Sequence, residues 1–158
     1  DVGGGSTEVN LLVKGELVCS KSYNIGTVRM LNDAVDFGEW KRLEADMRTL
    51  SEIYSGTNII GSGGNINKLY RLAEKTDKKR QRISVIVLKY LYEKLKLLSF
   101  EERMQVFNLK PDRADVIVPA SEIFLTIAEI LHSEYIYVPV IGLADGIIDG
   151  LYAANRNR

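Results

Sequence analysis

Val9-Asn10-Leu11-Leu12-Val13 is an alternating run, and residues 8–14 and 16–23 read as two strands joined at Lys14-Gly15-Glu16, a tight hairpin with Gly at its corner. Gly26 breaks that pattern. A short apolar segment (Val28, Met30, Leu31) then leads through an acidic link to Gly38. Trp40, Leu43, Met47 and Leu50 recur at steps of three and four, which predicts a helix over 39–54 with these side chains on one face. Asn58-Ile59-Ile60 reads as a short buried strand, followed by a glycine cluster and a helix from Asn65 to about Lys75. Residues 84–98 predict a helix with Leu88, Leu91, Tyr92, Leu95 and Leu98 inward and Lys89, Glu93, Lys94 and Lys96 outward. Ser99-Phe100-Glu101-Glu102 is a capping box that starts the next helix, and 108–111 is a loop. Residues 116–132 are apolar almost all round, as in a helix buried on several sides, with Pro119 marking its start or a kink. A strand over 135–140 and a last helix over 144–154 complete the pattern. Strands and helices alternate after the first hairpin, which predicts an α/β fold with a mixed sheet flanked by helices.

Composition narrows the classes. The 158 residues are expected to form a single domain, 1–158, and 46% hydrophobic and 27% charged content is ordinary for a soluble globular protein. Twenty-one basic and 21 acidic residues cancel, so no global field draws the chain to nucleic acid or to an anionic membrane, and neither is an expected partner. No run reaches the roughly 18–20 apolar residues of a membrane span, and no signal peptide is visible. The single cysteine, Cys19, excludes an internal disulfide, agrees with a reducing, cytoplasmic location, and reads as a small buried hydrophobe. One histidine, His132, at the end of an apolar helix reads as structural, and nothing else supplies a zinc set or a Ser-His-Asp arrangement. The chain opens without Met, so an engineered or processed start is expected.

The chemistry concentrates in the first octet, Asp1-Val2-Gly3-Gly4-Gly5-Ser6-Thr7-Glu8. Bare glycine backbone lets successive N–H groups turn toward one anion, and the Ser6 and Thr7 hydroxyls add donors or satisfy their own turn. Asp1 and Glu8 would repel a phosphate unless a hard cation sits between, and Mg²⁺ or another divalent cation suits that oxygen-only company. Gly61-Ser62-Gly63-Gly64-Asn65 is a second cluster, with a strand before it and a helix after. It reads either as an anion site at a helix N-terminus or as an ordinary turn in which Asn65 caps the helix. Lys75, Lys78, Lys79, Arg80 and Arg82 form the one dense basic run, either a solvated loop or a hold on a long polyanion.

The octet resembles the second phosphate-binding motif of the exopolyphosphatase / guanosine pentaphosphate phosphohydrolase family, within the actin/sugar-kinase/Hsp70 superfamily. Residues 24–29, 61–66, 99–103 and 111–117 resemble the same family in the same order. The resemblance implies a ribonuclease-H-like, actin-like ATPase domain that forms the C-terminal lobe of a two-lobe phosphatase. The other lobe, with the first phosphate loop and a catalytic glutamate, would lie before Asp1 and is absent from this chain. It further implies phosphate binding by Gly3, Gly4, Gly5, Ser6, Thr7, Gly61, Ser62, Gly63, Gly64 and Asn65, metal at Asp1 and Glu8, and a catalytic role for Glu8. Arg29 would reach phosphate or an acidic residue of the other lobe. The intact protein would release orthophosphate from polyphosphate or guanosine pentaphosphate, and the chain alone is expected to be nearly inactive. A non-catalytic polyphosphate or guanosine-tetra- or pentaphosphate sensor, or a lobe of an acetate or sugar kinase or an Hsp70-like ATPase, are the alternatives. Ala144-Asp145 depart from the family's Arg-Glu, and Tyr135, Tyr137, Tyr152 and the last helix are candidate surfaces for the other lobe or for a homodimer.

Overall fold

Lys14 and Gly15 both adopt positive φ, 54° and 87°, the conformation a two-residue hairpin turn of matching twist requires. The computed structural model, which describes residues 1–139, accordingly pairs β1 (Thr7–Val13) with β2 (Glu16–Tyr23) antiparallel. The register slips at a bulge, Leu11 facing Cys19 and Leu12 facing Leu17, so Val18 has no opposite number. Thr7 and Tyr23, at the base of the hairpin, are buried, whereas Leu12, Leu17 and Val18 beyond the bulge are exposed. Cys19 is only partly covered, against the expectation of a buried thiol. It lies on β2, which among the described residues has a neighbour on one edge only, and Leu11 is the last buried residue of β1.

The base of β2 is clamped to α2 (Phe37–Ile53), which follows a short α1 (Thr27–Leu31). Asp36 caps α2, its carboxylate accepting from the Gly38 N–H at 2.6 Å. The Tyr23 hydroxyl and Lys21 Nζ donate to the two Asp46 carboxylate oxygens at 2.8 and 2.6 Å, and Asn24 N–H donates to Glu39 at 2.7 Å. Burial and the Asp46 carboxylate push the Tyr23 phenol well above its usual range. Burial pushes Asp46 up as well, but its bonds from Lys21 and Tyr23 outweigh that and hold its carboxyl below the ordinary value.

The second sheet is mixed. β3 (Ile59–Ile60) runs parallel to β5 (Tyr135–Tyr137), and β4 (Arg82–Ser84) runs antiparallel to β5 on its other edge. The helix after β3, α3 (Gly64–Leu72), is shorter than expected, and the next nine residues form a loop that delivers β4. α4 (Val85–Leu97) is capped by Ser84, and both hydrogen bonds of the Ser99–Glu102 capping box start α5 (Phe100–Phe107). Asn108 then takes a left-handed conformation, and α6 (Pro111–Ala114) replaces part of the expected loop. α7 (Ile117–Ile130) carries nine buried residues and packs against α1, α2, α3 and α4, as an apolar surface on every side demands. Pro119 sits in its first turn, where no backbone N–H is needed, so the helix begins there without a kink. His132 lies exposed just past the end of α7 with φ 50°. No helix among the described residues is long and apolar enough to cross a membrane. The predicted helix over 144–154, the Ala144-Asp145 departure and Tyr152 lie outside the described residues.

Candidate functional site

Asp1 and Glu8 exchange two backbone hydrogen bonds of 2.9 Å, and Val2 bridges Thr7, so the octet folds back on itself as a tight antiparallel turn. Alternation then sorts its side chains. Val2 and Thr7 point into the core at 3% and 1% exposure, and Asp1 and Glu8, directly opposite one another, share the other face. Residues paired in this way stand about 5.5 Å apart at Cα, within reach of a single cation. Ser22 on β2 continues the row, facing Glu8.

The three glycines between them are held from one side. Thr27 and Val28 N–H donate to the Gly3 and Gly4 carbonyls at 3.0 and 2.9 Å, and Arg29 Nε donates to the Gly5 carbonyl at 2.7 Å. A Cβ on Gly26 would collide with the Gly4 carbonyl, so the segment Gly26–Arg29 packs directly under the loop. Arg29 thus braces the main chain, a role its sequence context did not reveal. Gly3 N–H is engaged by the Ser6 carbonyl at 2.8 Å, but the N–H groups of Gly4, Gly5 and Ser6 have no acceptor among the described residues. The hydroxyls are less available than the sequence suggested. Thr7 donates to the Ile25 carbonyl at 2.6 Å in the core, and Ser6 donates to Glu8 Oε1 at 2.6 Å. Neither hydroxyl is left to donate to a ligand.

The second cluster meets the first. A Cβ on Gly63 would collide with the Asp1 carboxylate, and the Asn65 side chain donates to the Val2 carbonyl at 2.8 Å. Gly63, with φ 93°, is the N-cap of α3 and offers no side-chain cap, so the N–H groups that open the helix are left unpaired. Asn65 is therefore not the cap: buried at 7% exposure, it joins the two loops. Gly61, by contrast, is turned away from the opening, its N–H donating to the Tyr137 carbonyl at 2.8 Å and its Cα packed on Ile66 and Ile136. Arg113 was named in the sequence only as part of a similar stretch. Its guanidinium lies over Gly64 and 3.5 Å from Asn65 Oδ1, a basic side chain beside the loops' meeting point.

The donor set fits a divalent cation held the way Mg²⁺ usually is. Asp1 and Glu8 pair through their backbones, and their two carboxylates could hold such an ion with further positions left to other oxygens. Among the described residues no group of three or more His, Cys, Asp or Glu side chains gathers, so an all-protein cage is not what this site offers.

A family model for the Ppx/GppA phosphatase family matches residues 1–154. The chain belongs to that family. Solved structures agree. A type II variant of the Aquifex aeolicus Ppx/GppA phosphatase is 26% identical, with 93% of this chain covering 54% of that one at a TM-score of 0.71. Another structure of the Aquifex aeolicus family member is 25% identical over 98% of this chain and 55% of that one, TM-score 0.72. An exopolyphosphatase from Cytophaga hutchinsonii, 18% identical over 97% and 55%, superposes with a TM-score of 0.74 and shows the same fold. No curated protein sequence matches. The fold is therefore α/β of the actin-like ATPase type, with a mixed sheet flanked by helices, and the chain spans about half the length of the solved relatives.

Proposed function

We propose that this chain is the phosphate- and metal-holding lobe of a phosphoanhydride hydrolase that releases orthophosphate from polyphosphate or guanosine pentaphosphate. The observation that carries the reading is Gly5. Its φ is not positive, and a Cβ there would meet nothing within 4 Å, so neither the backbone nor a neighbouring group requires glycine. A ligand approaching the unpaired N–H groups of Gly4, Gly5 and Ser6 would require it. Their loop meets the start of α3 where Asp1 lies against Gly63 and Asn65 bonds the Val2 carbonyl, and the helix dipole there favours an anion. The Arg113 guanidinium lies beside Gly64, 3.5 Å from Asn65 Oδ1 and 3.7 Å from the Asp112 carboxylate.

A divalent cation at Asp1 and Glu8 would neutralise charge on the phosphate oxygens and polarise the phosphorus. Glu8 is held by the Ser6 hydroxyl and, at 3.4 Å, by the Ser22 hydroxyl, both on Oε1. Its Oε2 accepts from nothing among the described residues and is free to orient a water. The second half of such a protein would close the cleft and supply further positioning groups, because phosphoryl transfer depends on holding both partners in line.

The test separates ligand from scaffold. Gly5→Val is expected to leave the unfolding midpoint within about 2 °C and to lower orthophosphate binding at least tenfold by calorimetric titration. Asp1→Asn is expected to remove the Mg²⁺ dependence of that binding while keeping the metal-free component. A Gly5→Val chain that binds orthophosphate as well as the parent would show the octet to be only a turn.

A further inference from the structure

The basic run forms a fixed projection. Asp77 and Arg82 bridge antiparallel through bonds of 3.0 and 3.1 Å, Gln81 takes φ 48°, and Lys78, Lys79 and Arg80 occupy the exposed tip of this four-residue hairpin turn. Asp77 ties the turn from inside, accepting from the Arg80 N–H at 3.1 Å and from Arg82 Nε at 3.0 Å. Arg82 also lies 3.8 Å over the Tyr135 ring, so it belongs to the hairpin's base and not to its binding face. Among the described residues no carboxylate pairs with Lys75, Lys78 or Lys79, and Arg80 approaches only Asp77 at 3.7 Å.

The position of the tip follows from the sheet. Gly61 N–H donates to the Tyr137 carbonyl on one edge of β5, and Val138 N–H donates to the Gln81 carbonyl at 2.6 Å on the other. The hairpin and the second glycine cluster thus rise from the same end of the sheet, separated by two strand spacings, roughly 10 Å. Below the hairpin a cleft of about 770 Å³ continues away from the glycines, its wall including Arg71, Lys75, Lys78 and Tyr135 together with Glu74 and Asp77.

We propose that the Lys78-Lys79-Arg80 tip is a second subsite that holds the body of a linear polyphosphate whose terminal residue lies in the glycine cradle. The inference rests on the function proposed above and selects among its substrates. The tip offers a line of point charges with no group to recognise a base or a sugar, and a repeating polyanion several phosphates long spans the gap. In guanosine pentaphosphate the phosphates divide between two positions of one nucleoside, which gives the tip nothing to hold once the cradle is filled. Held there, a long chain would be retained between cleavages while short products leave.

The experiment titrates the chain with tripolyphosphate, long-chain polyphosphate and a single-stranded oligonucleotide of comparable charge. It compares the parent with Lys78→Ala/Lys79→Ala/Arg80→Ala and with Lys78→Arg/Lys79→Arg. The alanine variant is expected to lose at least tenfold in long-chain affinity at low salt, with the slope of log affinity against log salt shallower by roughly two. Tripolyphosphate binding should change less than about twofold, and the arginine variant should bind as the parent does. The tip residues are exposed, and an unchanged circular dichroism melting curve confirms that the variant folds. Long-chain affinity unchanged in the alanine variant, with tripolyphosphate still bound, overturns the subsite and leaves the cradle standing. Failure of the parent to bind either polyphosphate overturns both. Equal binding of the oligonucleotide, lost in the same variant, also overturns the assignment and makes the tip a nucleic-acid contact.

Discussion

The glycine cradle and the cleft beneath the basic hairpin lie close together and are built on opposite terms. The cradle has almost no side chains: its donors are main-chain N–H groups, aimed by Thr27, Val28 and Arg29 from below and by Asn65 across the join. The cleft, about 770 Å³, is walled by side chains, with Arg71, Lys75 and Lys78 beside Glu74, Asp77 and Tyr135. A backbone site recognises shape and tolerates salt, because its dipoles cannot be rearranged or screened from within. A lysine site recognises charge and weakens steeply as salt rises.

The largest effect is expected where the cradle's own geometry is broken. Gly63→Val would place a Cβ against the Asp1 carboxylate and force a β-branched residue to φ 93°. The backbone strain alone costs roughly 1–3 kcal/mol. Displacement of Asp1 would also remove both orthophosphate binding and its Mg²⁺ dependence. Denaturant unfolding and calorimetry on one preparation would check it. A variant that unfolds at the parent's midpoint and binds phosphate normally would mean that Asp1 and Gly63 do not meet as described.

Next comes Asn65→Ala, which cuts the join between the loops. It leaves the Val2 carbonyl buried without its donor, a loss of about 1–3 kcal/mol. Phosphate binding should fall because the two sets of N–H groups no longer hold a common orientation. Asn65 also shows what the sequence could and could not disclose. That an acid–glycine–hydroxyl octet and a strand–glycine–helix turn belong to one family was legible, because glycine tolerates no substitute at a close approach. Which side chains face the opening was not. Thr7 reads as a donor and is buried against Ile25, Ser6 reads as a donor and serves Glu8, and Asn65 reads as a cap and bridges two loops. Each has several equally good partners within reach of its short side chain, and only the tertiary arrangement selects one. The fold shows the same division. The hairpin, the capping box and the all-apolar α7 follow from local pattern. The three-residue β4 exists only because β5 is there to pair with it, and its residues carry no periodicity long enough to see.

Acid provides a third, smaller contrast, since it strikes the clamp under the cradle and leaves the backbone donors alone. The Arg42 side chain and then the backbone N–H of Asn24 hold the Glu39 carboxyl below its ordinary range, and Asp46 is depressed as described above. For a carboxyl with a depressed folded value, the stabilisation is complete above the unfolded value, about 4. It is lost as pH falls through the lower folded value. The chain is therefore expected to keep its full stability down to about pH 4.5 and to lose it progressively below. Asp46→Asn should flatten part of that decline. A melting temperature that fell between pH 7 and pH 5 and did not respond to Asp46→Asn would place the acid-sensitive group elsewhere.

The smallest effect is the most discriminating, because it asks whether the cradle is made of backbone alone. Ser6 lies inside the loop, and its hydroxyl would be an obvious phosphate donor were its proton not directed at Glu8 Oε1, 2.6 Å away. Removing that hydroxyl deletes a charge-assisted bond worth about 1.5–3 kcal/mol to the orientation of Glu8 and deletes none to the ligand. Ser6→Ala should therefore change orthophosphate affinity in the absence of metal by less than about threefold, with a larger change when Mg²⁺ is present, since Glu8 then helps to hold the cation. A hydroxyl that bonded the phosphate directly would show the reverse order, a metal-free loss of roughly tenfold, in line with the higher value of hydrogen bonds to charged groups. Titrating the variant with and without Mg²⁺ decides between them, and the second outcome would make the cradle a mixed site in which Ser6 releases Glu8 when phosphate enters.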